Sequence, residues 1–531
     1  MDEAVDQVAS HEHLDVLIVG AGLSGISAAY HLQTACPDRS YAVLEARDDL
    51  GGTWDLFRYP GIRSDSDMYT LGYSWKPWKD PKAIADGPAI LAYIREAATE
   101  NGIDRRIRFG CQVVRASWSS TESRWTVEVR ERGASRVLTC GFLFMCSGYY
   151  DYEAGYTPEL AGRDLFRGVV VHPQRWTPEV EYEGKKVVVI GSGATAVTLV
   201  PELAKRAAKV TMLQRSPSYV ASLPARDRVA TALRARVPGA AYALTRWKNV
   251  AFGFGFYTFC KRYPARAKRM LIDLVRKELR GAVDVDKHFT PAYDPWDQRV
   301  CVVPNGDLFE ALRSGRADVV TDHIETFTET GLRLRSGAEL EADLVVTATG
   351  LQLKFGGGVE LVVDGRRVEP RETMTYKGMM CSDVPNLALA IGYTNASWTL
   401  KCDLTCAFVC RVLNTMRDEG YTRVLARRPG PHVGDRAHGR RRGSERPPRG
   451  RSRSLGARRA GRLRVRRREP RRARDARGSA CESGPRRAAL GRRLRPHRRG
   501  HERATRRLGE LRPDGLRRLT QIRAAGRSPR S

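Results

Sequence analysis

Asp15-Val-Leu-Ile-Val19-Gly20-Ala-Gly22-Leu-Ser24-Gly25 is the stretch that decides the fold. The apolar run reads as a buried strand, the glycines as a tight turn, and Leu23–Leu32 as a helix with apolar residues at helical spacing. In that strand–turn–helix context the glycines have separate tasks. Gly20 makes the turn, Gly22 lets a pyrophosphate approach the backbone, and Gly25 lets helix and strand close on each other. The helix N-terminus at Leu23 and Ser24 then faces the phosphates. Glu45 closes the next strand, Tyr41–Glu45, twenty residues after Gly25, at the spacing for a carboxylate that accepts ribose hydroxyls.

The pattern recurs 171 residues later as Gly191-Ser192-Gly193-Ala194-Thr195-Ala196, after the apolar run Lys186–Ile190. Here the following strand, Val210–Gln214, leads into Arg215 and Ser216 instead of an acid. A guanidinium at that place suits the 2′-phosphate of NADPH. A third apolar run, Asp343–Thr347, precedes Ala348-Thr349-Gly350. Two dinucleotide sites, one preferring NADPH, describe hydride transfer from nicotinamide to a second bound cofactor, and FAD is the natural partner. Gly51-Gly52-Thr53-Trp54 soon after Glu45 resembles the GG motif of two-dinucleotide flavoproteins. The first motif lacks a redox cysteine pair nearby, so electrons are expected to go to oxygen.

The expected fold is therefore α/β, with two Rossmann-like dinucleotide-binding domains and a helical insertion. The FAD domain is expected at 1–150 and 345–430, the NADPH domain at 151–217 and 282–344, and the insertion at 218–281. Leu, Val, Trp, Phe and Met recur among basic residues in that insertion, which includes Arg246, Trp247, Lys248, Phe252, Phe254, Lys261, Arg262, Lys268 and Arg269. Such a stripe reads either as a packed face under a solvated one or as peripheral contact with an anionic membrane.

The formal net charge of +31 over 531 residues suggests a nucleic-acid binder until the charge is located. Residues 431–531 hold 35 Arg, no Lys and 8 acidic residues, whereas residues 1–430 carry 56 basic against 52 acidic side chains. The tail also lacks Phe, Tyr, Trp, Met and Asn, so it cannot build a core and is expected to be disordered. Its composition is that of GC-rich coding DNA read in a shifted frame; the rival reading is a basic arm for nucleic acid. No specific nucleic-acid partner is expected for the remainder. The acidic start MDEAVDQVASHEH lacks an apolar export segment, and the longest near-apolar run, Val250–Cys260, is far shorter than the ~20 residues a spanning helix needs. The eleven Cys show no paired CxxC clusters, which fits a reducing, cytoplasmic setting. Cys402, Cys406 and Cys410 share one helical face without a His to complete a ligand set, so no metal is expected.

Between the nucleotide motifs stands Phe166-Arg-Gly168-Val-Val-Val-His172-Pro-Gln-Arg-Trp176-Thr177, which resembles the FxGxxxHxxxW fingerprint of Baeyer–Villiger monooxygenases and related flavin monooxygenases. Arg58-Tyr-Pro-Gly-Ile-Arg-Ser-Asp65, Asp294-Pro-Trp-Asp-Gln-Arg299 and Gly392-Tyr-Thr-Asn-Ala-Ser-Trp398 extend the likeness from about His13 to Pro429. The resemblance implies an NADPH- and O2-dependent enzyme in which a flavin C4a-peroxide attacks a ketone to give an ester, with oxygenation of thioethers or thioamides by the same species. It implies that Arg299 stabilises the anionic oxygen and pairs with Asp65. It places Gly20, Gly22, Ser24, Gly25, Glu45, Gly52, Thr53, Trp54, Asp65 and Val113 around FAD, and residues 191–196 with Arg215 and Ser216 around NADPH. Thr394, Asn395 and Trp398 would line the flavin or substrate side. His172 would act conformationally in the linker between domains. Two alternative readings are a monooxygenase acting mainly on sulfur or nitrogen, and an impaired flavoprotein whose basic tail binds nucleic acid.

Overall fold

The structure is a computed structural model that describes residues 12–428 and the strand Leu463–Arg467. That strand runs antiparallel to Tyr421–Ala426 inside the stretch expected to lack structure; the rest of that tail lies outside the described residues. The α-helices among the described residues include, in chain order, α1 (Leu23–Ala35), α2 (Met68–Leu71), α3 (Ala194–Leu203), α4 (Arg228–Arg236), α5 (Pro238–Arg262), α6 (Pro264–Leu279) and α7 (Trp398–Asp418).

Strand His13–Val19 pairs in parallel with Tyr41–Leu44 on one side and with Ala134–Met145 on the other, at the centre of a nine-stranded sheet. Its alternation serves two cores. Val16 and Ile18 join Ile26, Ala29 and Leu32 of α1 and Cys402 and Cys406 of α7, while Leu17 and Val19 meet Trp118, Trp125 and Val127 of the antiparallel strands. Each such side chain contributes about 1.5–3 kcal/mol on burial. Gly25 has no room for more than hydrogen: a Cβ there would lie 1.8 Å from the Gly20 carbonyl oxygen.

The second sheet is wholly parallel, in the order Ala317–Thr321, Lys209–Gln214, Lys186–Ile190, Leu344–Thr347 and Val169–Val171. Strand Leu344–Thr347 spans the boundary expected at residue 345 and pairs with Lys186–Ile190, so the second sheet extends to Thr347. Residues 218–281 are not all helical: Tyr219–Leu223 is a strand parallel to Val300–Pro304, and α4, α5 and α6 come after it. None of the described helices is long and apolar enough to cross a membrane.

The chain crosses between the two sheets twice, and the crossings pair: Tyr150–Gly155 runs antiparallel to Leu351–Leu353. The fingerprint residues gather at this ribbon. His172 Nδ1 accepts from the Gln174 N–H at 3.2 Å, so Nε2 carries the proton and donates to the Gly350 carbonyl at 3.0 Å. Gly155 faces the same ring, and a Cβ there would lie 2.0 Å from it. Phe166 packs on Phe327, and Trp176 is buried in the core of the second sheet. Gly168 lies under the Asp343 carbonyl, where a Cβ would come within 2.5 Å.

Burial pushes the His172 imidazole below its ordinary value, and Arg175 adds to that against the Gly350 carbonyl. A histidine held neutral in this way gives stability that is full above its unfolded value of about 6.5 and is lost as pH falls below it. The difference in urea midpoint between the parent and His172→Gln should therefore shrink between pH 7.5 and 5.5; a pH-independent difference would refute a neutral structural imidazole. Gly25→Ala should lower unfolding stability by about 1–3 kcal/mol through overpacking against Gly20, as read by urea titration.

Candidate active site

A cavity of about 650 Å³ opens where the first fingerprint meets the loops from the second sheet. Gly20, Gly22, Ser24, Glu45, Gly52, Thr53, Trp54, Asp65, Val113, Ala194, Arg299 and Trp398 line it, residues drawn from segments far apart in sequence. Gly25 stands behind the wall, as close packing dictates. The N-cap of α1 is Gly22, which offers no side-chain acceptor, so the first N–H groups of the helix are free for an anion. Ser24 Oγ is fixed from α7: the Trp398 indole N–H donates to it at 2.8 Å and the Cys402 thiol at 3.0 Å. Cys402, Cys406 and Cys410 are all buried.

Glu45 ends strand Tyr41–Leu44 with Oε2 accepting from the Ala21 N–H at 2.7 Å and Oε1 from the Arg47 N–H at 3.0 Å. Burial pushes its carboxyl up, and those two donors pull it back. Glu45 lines the cavity, and each of its oxygens keeps acceptor capacity beyond the one bond it takes from the chain. Ser147 also lines the cavity, and its hydroxyl is buried without a protein partner. A Cβ on Gly22 would lie 3.6 Å from Gly52 Cα and 4.0 Å from the Gly51 carbonyl oxygen, so the two glycine turns approach each other backbone to backbone at the cavity wall. These features fit an FAD.

The second fingerprint repeats the geometry. Gly193 caps α3 without a side-chain acceptor, and a Cβ there would meet nothing within 4 Å. Ser192 Oγ lies 2.9 Å from Ser218 Oγ and donates to the Ser216 carbonyl at 3.2 Å, which ties the α3 turn to the loop after strand Lys209–Gln214. Arg215 on that loop is exposed and forms no ion pair with any described residue. Thr195 approaches Tyr59, whose hydroxyl burial pushes up to about 12. Ala196 is fully buried against the second sheet.

Arg299 and Asp65 form an ion pair at the cavity wall. Asp65 lies two residues before Asp67, which caps α2, and Arg299 immediately precedes strand Val300–Pro304. Burial works to lower the guanidinium, but the Asp65 carboxylate outweighs it and holds the group above its ordinary value. Nearly half the Arg299 side chain, 49%, is accessible. The guanidinium is thus partly open to solvent on the cavity wall.

Of the residues expected around NADPH only Ala194 lines this cavity, and two of those expected on the flavin or substrate side fall outside it. Thr394 and Asn395 are exposed, and the cavity takes Tyr393, Ala396 and Trp398 from their segment. Others were missed: Tyr59, Tyr149, Tyr150 and Tyr152 form an aromatic wall, with Tyr152 OH 3.3 Å from Thr53 Oγ1 and Tyr149 5.2 Å from Trp398. The tyrosine-rich run Gly148-Tyr-Tyr-Asp-Tyr152, following a strand beside the first fingerprint, was the signal available for three of them.

Comparison with known proteins supports this arrangement. A model of the flavin-binding monooxygenase-like family matches residues 14–229. The FAD-containing monooxygenase EthA of Mycobacterium tuberculosis is 56% identical over 427 residues, 80% of this chain and 87% of that one. EthA of Mycolicibacterium smegmatis is 54% identical over 424 residues, covering 80% and 86%. Among solved structures, an oxidised steroid monooxygenase bound to NADP superposes with a TM-score of 0.66 at 25% identity, over 78% of this chain and 87% of that one. With its two glycine fingerprints and the Arg299–Asp65 pair between them, the chain belongs to the family of FAD-containing, flavin-binding monooxygenases.

Proposed function

We propose that the protein is an NADPH- and O2-dependent monooxygenase that converts ketones to esters by Baeyer–Villiger oxidation and also oxygenates organosulfur compounds such as thioethers and thioamides. The observation that carries this reading is the Arg299–Asp65 pair on the wall of the cavity that the first fingerprint opens. When bound and reduced by NADPH, FAD would supply the electrons that activate O2 to a reactive, negatively charged form. This chain must then stabilise that charge and keep water from discharging it.

Arg299 is a fixed cation at any working pH, which a Lys in the same place would not guarantee once desolvated. Asp65 neutralises it at rest and aims it, so that loss of the carboxylate leaves the guanidinium in place but unsteered. The aromatic wall of Tyr149, Tyr150 and Trp398 supplies the dry side of the cavity. Glu45, the free N-terminus of α1 and the turn at Gly52 and Thr53 would hold FAD. The α3 N-terminus with Arg215 and Ser216 would hold NADPH, with FAD-side residues at 1–150 and beyond Thr347 and NADPH-side residues between. Soft sulfur takes the same activated oxygen, so ketone and sulfur turnover belong to one site. Segment 218–281 is assigned to peripheral contact with an anionic membrane.

The test is turnover of a ketone panel by purified protein loaded with FAD, with ester quantified against NADPH consumed and a thioether run in parallel. Sulfoxide without ester would move the assignment to a sulfur monooxygenase; NADPH consumption with neither product would end it. Arg299→Ala should lower product formation by about 100-fold or more while NADPH oxidation continues and hydrogen peroxide accumulates. Arg215→Ala should raise the KM for NADPH about tenfold or more and leave that for NADH nearly unchanged, since one charge-assisted contact to the 2′-phosphate is lost. Equal losses with both nucleotides would remove Arg215 from the phosphate site.

A further inference from the structure

Helix α5 is turned inside out. On a 3.6-residue helix Tyr242, Arg246 and Asn249 share one face, and Leu244, Trp247, Ala251 and Phe254 share the opposite one. The polar face meets the protein. The Tyr242 hydroxyl donates to the Tyr73 carbonyl at 2.8 Å, and Arg246 Nη1 donates to the carbonyls of Tyr69 at 2.9 Å and Gly72 at 2.7 Å. Asn249 Nδ2 donates to Asp67 Oδ1 at 2.8 Å. The apolar face points away from it: Trp247 is 71% exposed, Phe254 73%, and Phe252 on its flank 68%. Tyr263, at the junction of α5 and α6, and Met270 and Leu274, on α6, are also exposed.

Large aromatics at that exposure are neither core nor a scattering of single surface residues; over about 15 Å of helix they make one stripe. The charge around it is one-sided. Residues 218–281 hold 14 basic and 3 acidic side chains, whereas residues 1–217 and 282–430 together hold 42 basic and 49 acidic. Arg228, Arg236, Arg262, Arg266 and Arg269 are exposed and form no ion pair with any described residue, and Arg236 and Arg262 bracket the stripe at its two ends. Arg262 and Arg266 lie over the Tyr263 ring at 6.0 and 5.6 Å. A second copy of this chain would bring eleven net positive charges against eleven, which disfavours self-association on this face. An anionic bilayer answers both features, since aromatic and aliphatic side chains enter the headgroup boundary while arginines meet phosphates.

We infer that the outward face of α5, with Leu244, Trp247, Phe252 and Phe254 entering the interface and Arg236, Arg262 and Arg266 on lipid phosphates, is the surface that docks this protein on an anionic membrane. This rests on the assignment of segment 218–281 to membrane contact and names its face and lipid chemistry.

The test uses the full chain in flotation with vesicles of phosphatidylcholine alone and of equimolar phosphatidylcholine and phosphatidylglycerol. The parent should float with the anionic vesicles only. Trp247→Ser with Phe254→Ser should weaken that partition about tenfold or more, and Arg262→Glu with Arg266→Glu should do so most strongly at low salt. NADPH oxidation in solution should be unchanged in both, which shows that the variants are folded. Flotation equal to the parent in the Trp247/Phe254 variant overturns the inference, because binding then comes from another basic segment such as residues 431–531. Concentration-dependent dimers that disappear in that variant while flotation persists overturn it in favour of a second copy. Failure of the parent to float with either vesicle refutes membrane contact itself, whereas flotation with no turnover of any substrate leaves the docking face standing and removes only the monooxygenase reading.

Discussion

Two of the described helices begin at a fingerprint glycine that offers no side-chain cap, and the rest of the active region is arranged around that deficit. At α1 and at α3 the N-cap is glycine, so the first N–H groups have no acceptor from the chain and the positive end of each helix dipole faces open space. A side chain at either position would satisfy the donors and fill the space. The chain instead holds both ends open by burying everything behind them. Gly25 is locked on Gly20, Ser24 is held from α7 by Trp398 and Cys402, and Ala196 is buried against the second sheet. A phosphate completes what the protein leaves undone.

The same economy of position holds at Arg299 and Asp65. Neither is near the other in sequence, and each is set by an element that has another reason to be where it is. Asp65 is placed by α2, whose N-cap Asp67 is tied to Asn249 and whose last carbonyls are taken by Arg246 of α5 and by Thr399 of α7. Arg299 is placed by the parallel pairing of Tyr219–Leu223 with Val300–Pro304. The segment whose composition reads as a helical insertion therefore supplies, through one short strand and one polar helix face, part of the frame for the ion pair at the cavity wall.

Sequence patterns spoke most clearly where geometry forces a residue type. The two glycine turns and Glu45 were legible because a close backbone approach or a carboxylate at a strand end leaves few alternatives, and the parallel strands came with them. The linker motif around His172 was legible as a pattern. Its physical content, a neutral imidazole bonded to Gly350 and stacked against Gly155, needed the pairing of two segments that lie almost two hundred residues apart. The aromatic wall left a weaker signature: Tyr59 reaches the cavity from a loop and Tyr152 from the strand that pairs with Leu351–Leu353, and no period encodes a loop conformation or a long-range pairing. For the same reason Thr394 and Asn395 fell one side chain away from the cavity that Tyr393 and Ala396 line. The strand Tyr219–Leu223 was masked by the helical composition of the residues after it.

The paired crossings also bear on how such an architecture is assembled and reworked. Everything between Gly155 and Leu351 leaves and re-enters the first sheet through one narrow ribbon whose two strands hold each other. The second sheet is thus a cassette with a single doorway. A different cassette could be grafted there without a cut through any strand of the first sheet, provided that it keeps the ribbon's register and replaces the contacts that Arg246, Asn249 and Arg299 make to α2 and Asp65.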